Sequence, residues 1–250
     1  MPEFTGHTAH THDVMLTLLA AAICAGCVVS AMKTLQVSLT SSNREGWRLL
    51  ASGTLATGIW SAHVVAMLAC SSTVSGSYSP STTILAIVIV SLVTWSGFTL
   101  SDRASGRAEW AAVGGAIVGA GLAAMHFVGA PAMKISGTVI WNNQIGPAAV
   151  VCAVVLAAAS LRSFYQMPGP RGFWIACALL FGAAASMHSI ALEAQAIIPD
   201  GVVTTSAAGP DRVLLALGVA AMSLLSMGAG IAAVVVEQIR GRVQSEVVKL

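Results

Sequence analysis

Charged residues are scarce in this 250-residue chain, which has only 12 Lys or Arg and 10 Asp or Glu. Charged residues make up about a quarter of an ordinary soluble domain, so this composition argues against a soluble domain. The net charge of +2 provides no basic surface for a nucleic acid, and we expect no such partner. Instead, 56% of the residues are hydrophobic, in recurring runs of the length that crosses a bilayer. The sequence therefore predicts a polytopic membrane protein with the lipid bilayer as its main partner.

Strict alternation of apolar and polar residues is also absent, which argues against a transmembrane β-barrel. Seven apolar segments stand out instead, each bounded by polar or turn-forming residues. The predicted fold is all-α with seven transmembrane helices, at residues 14–32, 47–70, 82–100, 110–131, 147–164, 173–197 and 213–236.

Basic residues are nearly absent from one side of the predicted bundle. With the N-terminus outside, the outer side holds only Lys134 and Arg212. The inner flanks hold Lys33, Arg44, Arg48, Arg103, Arg107, Arg162, Arg171, Arg240, Arg242 and Lys249. The positive-inside rule then predicts an N-out, C-in topology. We expect an outer tail at 1–13, a membrane domain at 14–236 and a cytoplasmic helical stub at 237–250.

The five cysteines all lie within or at the ends of apolar segments, which argues against a disulfide framework. Cys24 and Cys27 form a C-x-x-C one helical turn apart. Without a second such pair, small buried packing residues are the favoured interpretation.

An internal repeat begins at the inner edge of each even-numbered helix. An Arg followed three residues later by Trp recurs at Arg44, Arg107 and Arg171. Such pairs anchor a helix at the membrane interface. His63, His126 and His188 follow with spacings of 63 and 62 residues. The period predicts three helix-pair repeats plus a last helix.

The three histidines share one predicted depth. They follow their tryptophans by 16, 16 and 14 residues, or about 21–24 Å along a helix, which places them in the outer third of the membrane. An ionisable side chain inside a membrane costs free energy and is a functional candidate. The alternative is that each His donates a hydrogen bond to a neighbouring helix. If the repeats surround a common axis, the three side chains can converge.

Methionines accompany each histidine, although any one of them can equally be a core filler. Met67 lies one turn after His63, while Met125 and Met187 directly precede their histidines. Imidazole together with thioether suits copper, especially Cu(I), better than oxygen-preferring cations. The predicted metal ligands are His63, His126, His188, Met67, Met125 and Met187, with Met133, His10 and His12 as weaker candidates.

The motif Met125-His126-Phe127-Val128-Gly129 resembles that of the bacterial MHYT domain, and it is echoed at residues 60–63 and 186–188. The resemblance covers about residues 12–236. It implies a sensor domain of the bacterial inner membrane that binds copper near the outer face. It further implies sensing of a diatomic gas (O2, CO or NO), of redox state or of the metal, with a cytoplasmic output module in many members.

Each copy departs from the family pattern Met-His-Tyr-Thr-Gly-Met. Ala62 stands at the first Met of the first copy, while Ala130 and Leu192 stand at the trailing Met of the second and third. No copy keeps both methionines, so the resemblance carries over to the histidines more fully than to the thioethers.

Apolar residues continue at spacings of three and four after the last membrane segment, through Val236, Ile239, Val243, Val247 and Leu250. The pattern is typical of a short coiled coil, and equally of an amphipathic helix end at the membrane surface. We expect a cytoplasmic output protein or a homodimer to engage residues 236–250.

Other membrane functions differ in how well they suit this sequence. Two of the histidines suit axial ligation of a b-type haem, which makes a redox carrier the alternative function. A copper oxidase ranks lower because no carboxylate lies at that depth to move protons. A retinal protein needs a Lys in the last helix, which residues 213–236 lack, and charged midplane residues typical of transporters are missing. Enzyme activity is therefore not the favoured expectation.

Overall fold

Seven long helices dominate the computed structural model, which describes residues 13–69, 74–103, 107–130, 133–135, 138–198 and 212–247. All seven are long and apolar enough to cross a membrane. They are α1 (Val14–Ser38), α2 (Arg44–Ala69), α3 (Pro80–Arg103), α4 (Ala108–Gly129), α5 (Ile145–Gln166), α6 (Gly169–Glu193) and α7 (Arg212–Val247). The prediction of an all-α membrane protein with seven spanning helices is confirmed.

Most helix ends extend beyond the predicted apolar segments. α1 continues past residue 32 to Ser38, and α7 continues without a break past residue 236 to Val247. Hydropathy locates the part of a helix that suits lipid, whereas the backbone hydrogen bonds continue through polar residues. At the start of α1, Asp13 Oδ1 accepts hydrogen bonds from the backbone N–H groups of Met15 (2.9 Å) and Leu16 (3.2 Å). This capping satisfies donors that the helix itself leaves free.

Two short strand pairs, which the sequence analysis did not predict, join the loops at one end of the bundle. β1 (Val74–Tyr78) pairs antiparallel with β2 (Met133–Ile135), and β3 (Thr138–Trp141) pairs antiparallel with β4 (Gln195–Ile198). The predicted sixth segment, 173–197, is therefore wrong at its end, because β4 occupies residues placed in a helix. The β-branched Ile197 and Ile198 favour an extended backbone there. The pairs connect the loops that follow α2, α4 and α6.

Helix packing places α2 at the centre of the bundle. From α1 to α6, each helix packs against the next along the chain, whereas α7 packs against α1 and α2, and α1 also touches α6. α2 is the most enclosed helix, since 72% of its apolar membrane-spanning stretch is buried. Between α4 and α5, the backbones approach so closely that a Cβ at Gly115 or Gly119 would overlap a backbone carbonyl of the other helix. Small residues therefore set how closely α4 packs against α5.

A buried ion pair joins α2 to α3 at the end of the bundle opposite the strand pairs. Arg48 Nη2 donates to Asp102 Oδ2, and Arg48 Nη1 donates to Glu45 Oε1 at 2.7 Å. Arg44 Nη1 lies 3.6 Å from the same Asp102 oxygen. Only 5% of the Arg48 side chain and 12% of the Asp102 side chain are exposed. From the sequence, Arg48 was predicted only to mark the inner flank of α2, and this ion pair was not predicted.

We expect Asp102→Ala to lower the free energy of unfolding by about 3–5 kcal/mol, because Arg48 would keep a buried charge without its main partner. Thermal unfolding of the purified protein in detergent measures the effect. Glu109→Ala removes an exposed acidic residue from the first turn of α4 and is the matched control. Equal unfolding temperatures for the two variants would contradict a stabilising role of the pair.

Candidate metal centre

The three histidines lie in the last two turns of α2, α4 and α6, at the end of the bundle that carries the strand pairs. Each of these helices starts at the opposite end, so their final turns meet near one another. One ring nitrogen from each of His63, His126 and His188 lies within 4.8 Å of the others. The three side chains therefore converge in the structure.

The closest contact in the cluster joins His63 Nδ1 to His188 Nδ1, at 3.1 Å. Two nitrogens bound at about 2.0–2.1 Å to one tetrahedral ion lie roughly 3.3 Å apart. The separation therefore suits a shared metal ion, and it equally suits a hydrogen bond in which one Nδ1 is protonated. The three rings meet edge to face, with centroids 4.8, 5.1 and 5.5 Å apart.

His126 is the most deeply buried member of the cluster. Its side chain is 0% exposed, and neither ring nitrogen has a hydrogen-bond partner among the described residues. The ring of Phe127 packs against it at a centroid distance of 5.4 Å. A buried polar group without a partner costs free energy, and such groups are rare in native proteins. A cation held between His126 and the other two imidazoles would provide a partner for one of these nitrogens.

The three predicted methionine ligands do not all face the same space. Met67, Met125 and Met187 are all buried. Met125 and Met187 line a cavity together with His63 and His188, whereas Met67 is not part of its lining. The helical spacing that places Met67 on the His63 side of α2 therefore does not bring it to the cavity.

The cavity beside the histidines has a volume of about 150 Å³. Alanine is its most frequent lining residue, contributed by α1, α2 and α6, and Ile59 and Phe181 add larger apolar side chains. One side is formed by α1, which the sequence analysis left out of the site. The α1 residues that line it are Thr17, Ala20, Ala21 and Cys24. Their spacing of three and four residues places them on one helix face. This spacing is the feature of the sequence from which the α1 side of the cavity could have been predicted.

The side chains of the three weaker predicted ligands lie outside the part of the chain that the structure describes. His10 and His12 lie outside the described residues. Met133 begins β2, where its backbone pairs with that of Tyr78 in β1, and its side chain lies outside the described part. These three remain predictions.

The donor set is neutral and partly soft. Three imidazoles and two thioethers surround the cluster and the cavity, and among the described residues no carboxylate joins them. Neutral donors in an apolar environment favour an ion of low charge, and this combination suits Cu(I) rather than Mg²⁺ or Ca²⁺. Organic cofactor sites usually enclose about 300–1,000 Å³, so a 150 Å³ cavity fits an ion better than a haem.

The chain matches the MHYT family model, described as a bacterial signalling protein N terminal repeat, over residues 57–115 and again over 119–177. The two matches begin 62 residues apart, which agrees with the period deduced from the sequence. They contain His63 and His126, and His188 lies beyond the second match.

Longer bacterial proteins are similar to this chain. An uncharacterized signaling protein of Caulobacter vibrioides is 29% identical over 239 residues, covering 90% of this chain and 28% of its own length. The cyclic di-GMP phosphodiesterase NbdA of Pseudomonas aeruginosa is 26% identical over 202 residues, covering 77% of this chain and 26% of its own length. The chain thus spans about a quarter of the length of these relatives. No solved structure gives a significant match.

We expect His126→Leu to raise the unfolding free energy of the metal-free protein by about 1–3 kcal/mol, because it removes a buried polar group that has no partner. His63→Leu is the control, since it deletes a hydrogen-bond partner of His188 and should lower stability instead. Thermal unfolding in the presence of a copper chelator measures the stability of both variants against the wild type. A clear loss of stability in His126→Leu would mean that the imidazole is a packing element.

Proposed function

The chain belongs to the MHYT family of bacterial signalling proteins, and we propose that it is a membrane sensor whose input is copper and a small ligand at the copper. The observation that carries the proposal is the cluster of three imidazoles, of which His63 and His126 are buried and His188 is half-buried, whose nitrogens lie within 4.8 Å of one another. His126 supports it further, because its ring has no hydrogen-bond partner among the described residues.

Copper is the proposed ion because of the chemistry of the donors. His63, His126 and His188 would hold it, with Met125 and Met187 as the nearby thioethers. Met67 is a weaker candidate, since it does not line the cavity. A bound copper ion with an open coordination position can bind a diatomic molecule such as O2, CO or NO, or change its oxidation state.

The apolar cavity supports a small uncharged ligand. Its volume of about 150 Å³ exceeds several times the ~30 Å³ that one water molecule occupies in the liquid. Its lining is mostly apolar, and its hydrogen-bonding groups are the hydroxyls of Thr17 and Ser189 and the imidazoles of the two histidines. Diatomic gases dissolve in lipid, so an intramembrane site is accessible to them. The role of this chain's residues is to enclose the ligand beside His63 and His188.

The proposed location is the bacterial inner membrane, with the histidine cluster toward the outer face. The cluster lies at the ends of α2, α4 and α6 that are remote from their Arg-rich starts. The positive-inside rule places these starts in the cytoplasm. The site would then receive metal from the periplasmic side.

Transmission to the cytoplasm would run through α7. Ser30 Oγ of α1 donates to the Met227 carbonyl of α7 at 3.2 Å. A Cβ at Gly230 would lie 2.9 Å from Ser30 Oγ and 3.4 Å from the hydroxyls of Thr34 and Thr54. α2 carries both Thr54 and His63. A change in the packing of α2 at the histidine cluster would therefore alter the contact between Thr54 and α7. α7 then continues to Val247.

The inner end of α7 is the proposed link to an output partner. Relatives of this chain are about three times as long as it is, and one is named as a cyclic di-GMP phosphodiesterase. Val236, Ile239 and Val243 are exposed on α7, which supports a homodimer or an output module that engages residues 236–250. In this proposal the membrane domain binds and signals, and it performs no catalysis.

Copper binding is tested with the full chain in lipid nanodiscs. We expect copper in the wild type, with nitrogen ligation in X-ray absorption at the copper edge, and loss of this copper in the His63→Ala, His126→Ala, His188→Ala triple variant. The triple variant His7→Ala, His10→Ala, His12→Ala changes the same number of histidines in the tail and should keep the copper. A wild type that binds no copper would refute the proposal.

Coupling to α7 is tested by hydrogen exchange of the backbone amides at 237–247. We expect copper to change exchange there in the wild type, and Gly230→Leu to abolish the change while copper content stays the same, because the new side chain separates α7 from the α1 and α2 hydroxyls. Gly228→Leu is the matched control, since a Cβ at Gly228 meets nothing within 4 Å. Equal responses in both variants would exclude this route of transmission.

A further inference from the structure

One face of α7 is left uncovered by the rest of the bundle along most of the helix. The residues on this face, which we call the α7 seam, are all exposed, and none is polar. They are Gly218, Met222, Leu225, Ala229, Ala232, Val236, Ile239 and Val243. Their spacings alternate between four and three, which is the heptad repeat of coiled coils. The repeat is kept for more than three heptads, the length at which it distinguishes a coiled coil from an ordinary amphipathic helix.

The opposite face of α7 packs against the helices of its own bundle. Ser223, Gly230 and Val234 are buried there. At 100° per residue, these positions lie about 140–180° around the helix from Leu225. α7 is therefore attached to its bundle by one face and presents the seam on the other.

The cytoplasmic part of the seam is not suited to water. The positive-inside rule places the end of α7 in the cytoplasm. Val236, Ile239 and Val243 are nevertheless 47%, 56% and 58% exposed. The residues between them are mostly polar, namely Glu237, Gln238, Arg240 and Arg242. An apolar row that continues into water indicates a surface that a protein partner covers.

The membrane part of the seam is rich in small residues, namely Gly218, Ala229 and Ala232. A Cβ at Gly218 would meet nothing within 4 Å, so the packing of the bundle does not require glycine there. Glycine inside a helix lowers its stability, and lipid covers a larger side chain equally well. Small residues on an outward face instead allow a second helix to approach closely.

We propose that the seam binds the α7 of a second copy of this chain, in a parallel dimer with one continuous interface from Gly218 to Val243. The partner must present an apolar row both in the membrane and in the cytoplasm. A second copy inserted in the same orientation does so, because a two-fold axis along the membrane normal places each seam residue opposite its own copy. A soluble output protein does not reach Gly218 or Leu225 through lipid.

This inference deepens the proposed role of α7, but it does not depend on copper at the histidines. Gly230 of α7 contacts the α1 and α2 hydroxyls on the face opposite the seam. A displacement of α7 at that contact would therefore change how the two α7 helices cross. The cytoplasmic ends of the two copies would move relative to each other.

The test is disulfide crosslinking of the full chain in lipid vesicles, with iodine as the oxidant and a metal chelator present. Leu225→Cys and Ile239→Cys place a thiol on the seam in the membrane and in the cytoplasm, and both should form crosslinked dimers. Leu224→Cys and Gln238→Cys are the matched controls. They move the thiol by one residue, about 100° around the helix, beyond the reach of a disulfide. The wild type measures the background from the native cysteines.

The crosslinking pattern decides both the partner and the extent of the interface. Equal crosslinking of seam and control positions would indicate random collision and refute the dimer. Crosslinks of Ile239→Cys without those of Leu225→Cys would confine the contact to the cytoplasm and refute the interface within the membrane. Because the chelator removes metal, these outcomes are independent of whether the histidines bind copper.

A steric variant tests the same interface without crosslinking. Ala232→Trp should raise the dissociation constant of the dimer about tenfold, because the indole keeps the two helices apart. Ile231→Trp changes the preceding residue, which is exposed outside the seam, and should leave association unchanged. Single-molecule photobleaching in vesicles of increasing protein density measures both variants. A wild type that remains monomeric at every density would overturn the proposal.

Discussion

Three imidazoles meet inside an apolar helix bundle, and the arrangement of the protein is best understood from this contact. In lipid, backbone polar groups are satisfied within the helices, so polar side chains in the interior must find partners in one another. His63 and His188 do so through their Nδ1 atoms, while His126 has no such partner among the described residues. The polar network of the cluster is thus incomplete among the described residues, and this is the feature that the proposed metal ion would complete.

The central helix connects the two polar regions of the bundle. α2 carries His63 near one end and the buried Arg48, paired with Asp102, near the other. Between them, Gly58 lets α1 approach closely, and Thr54 lies next to α7. In the proposed mechanism, a displacement at the histidines would shift or rotate α2, whose two ends are held by these directional contacts. α7, which packs against α2, is positioned to respond.

Much of the fold follows from hydropathy and the repeat, but several features of the site do not. The seven helices and the common level of the three histidines were predictable, because lipid demands long apolar helices and the helical rise converts spacing into depth. The strand pairs were missed because short extended segments in loops leave a weak pattern. The Arg48–Asp102 pair was missed because its residues lie 54 positions apart and belong to different helices.

The order of amino acids alone decides which residues share a helix face and a depth, since both depend only on the 3.6-residue period and the rise per residue. It therefore places His63, His126 and His188 at one level. How each helix is rotated against its neighbours depends on close backbone contacts such as those at Gly115 and Gly119. Only this packing brings Met125 and Met187 to the cavity while Met67 stays outside it. The same packing directs Cys24 into the site and leaves Cys27 between helices, a distinction that no spacing within α1 contains.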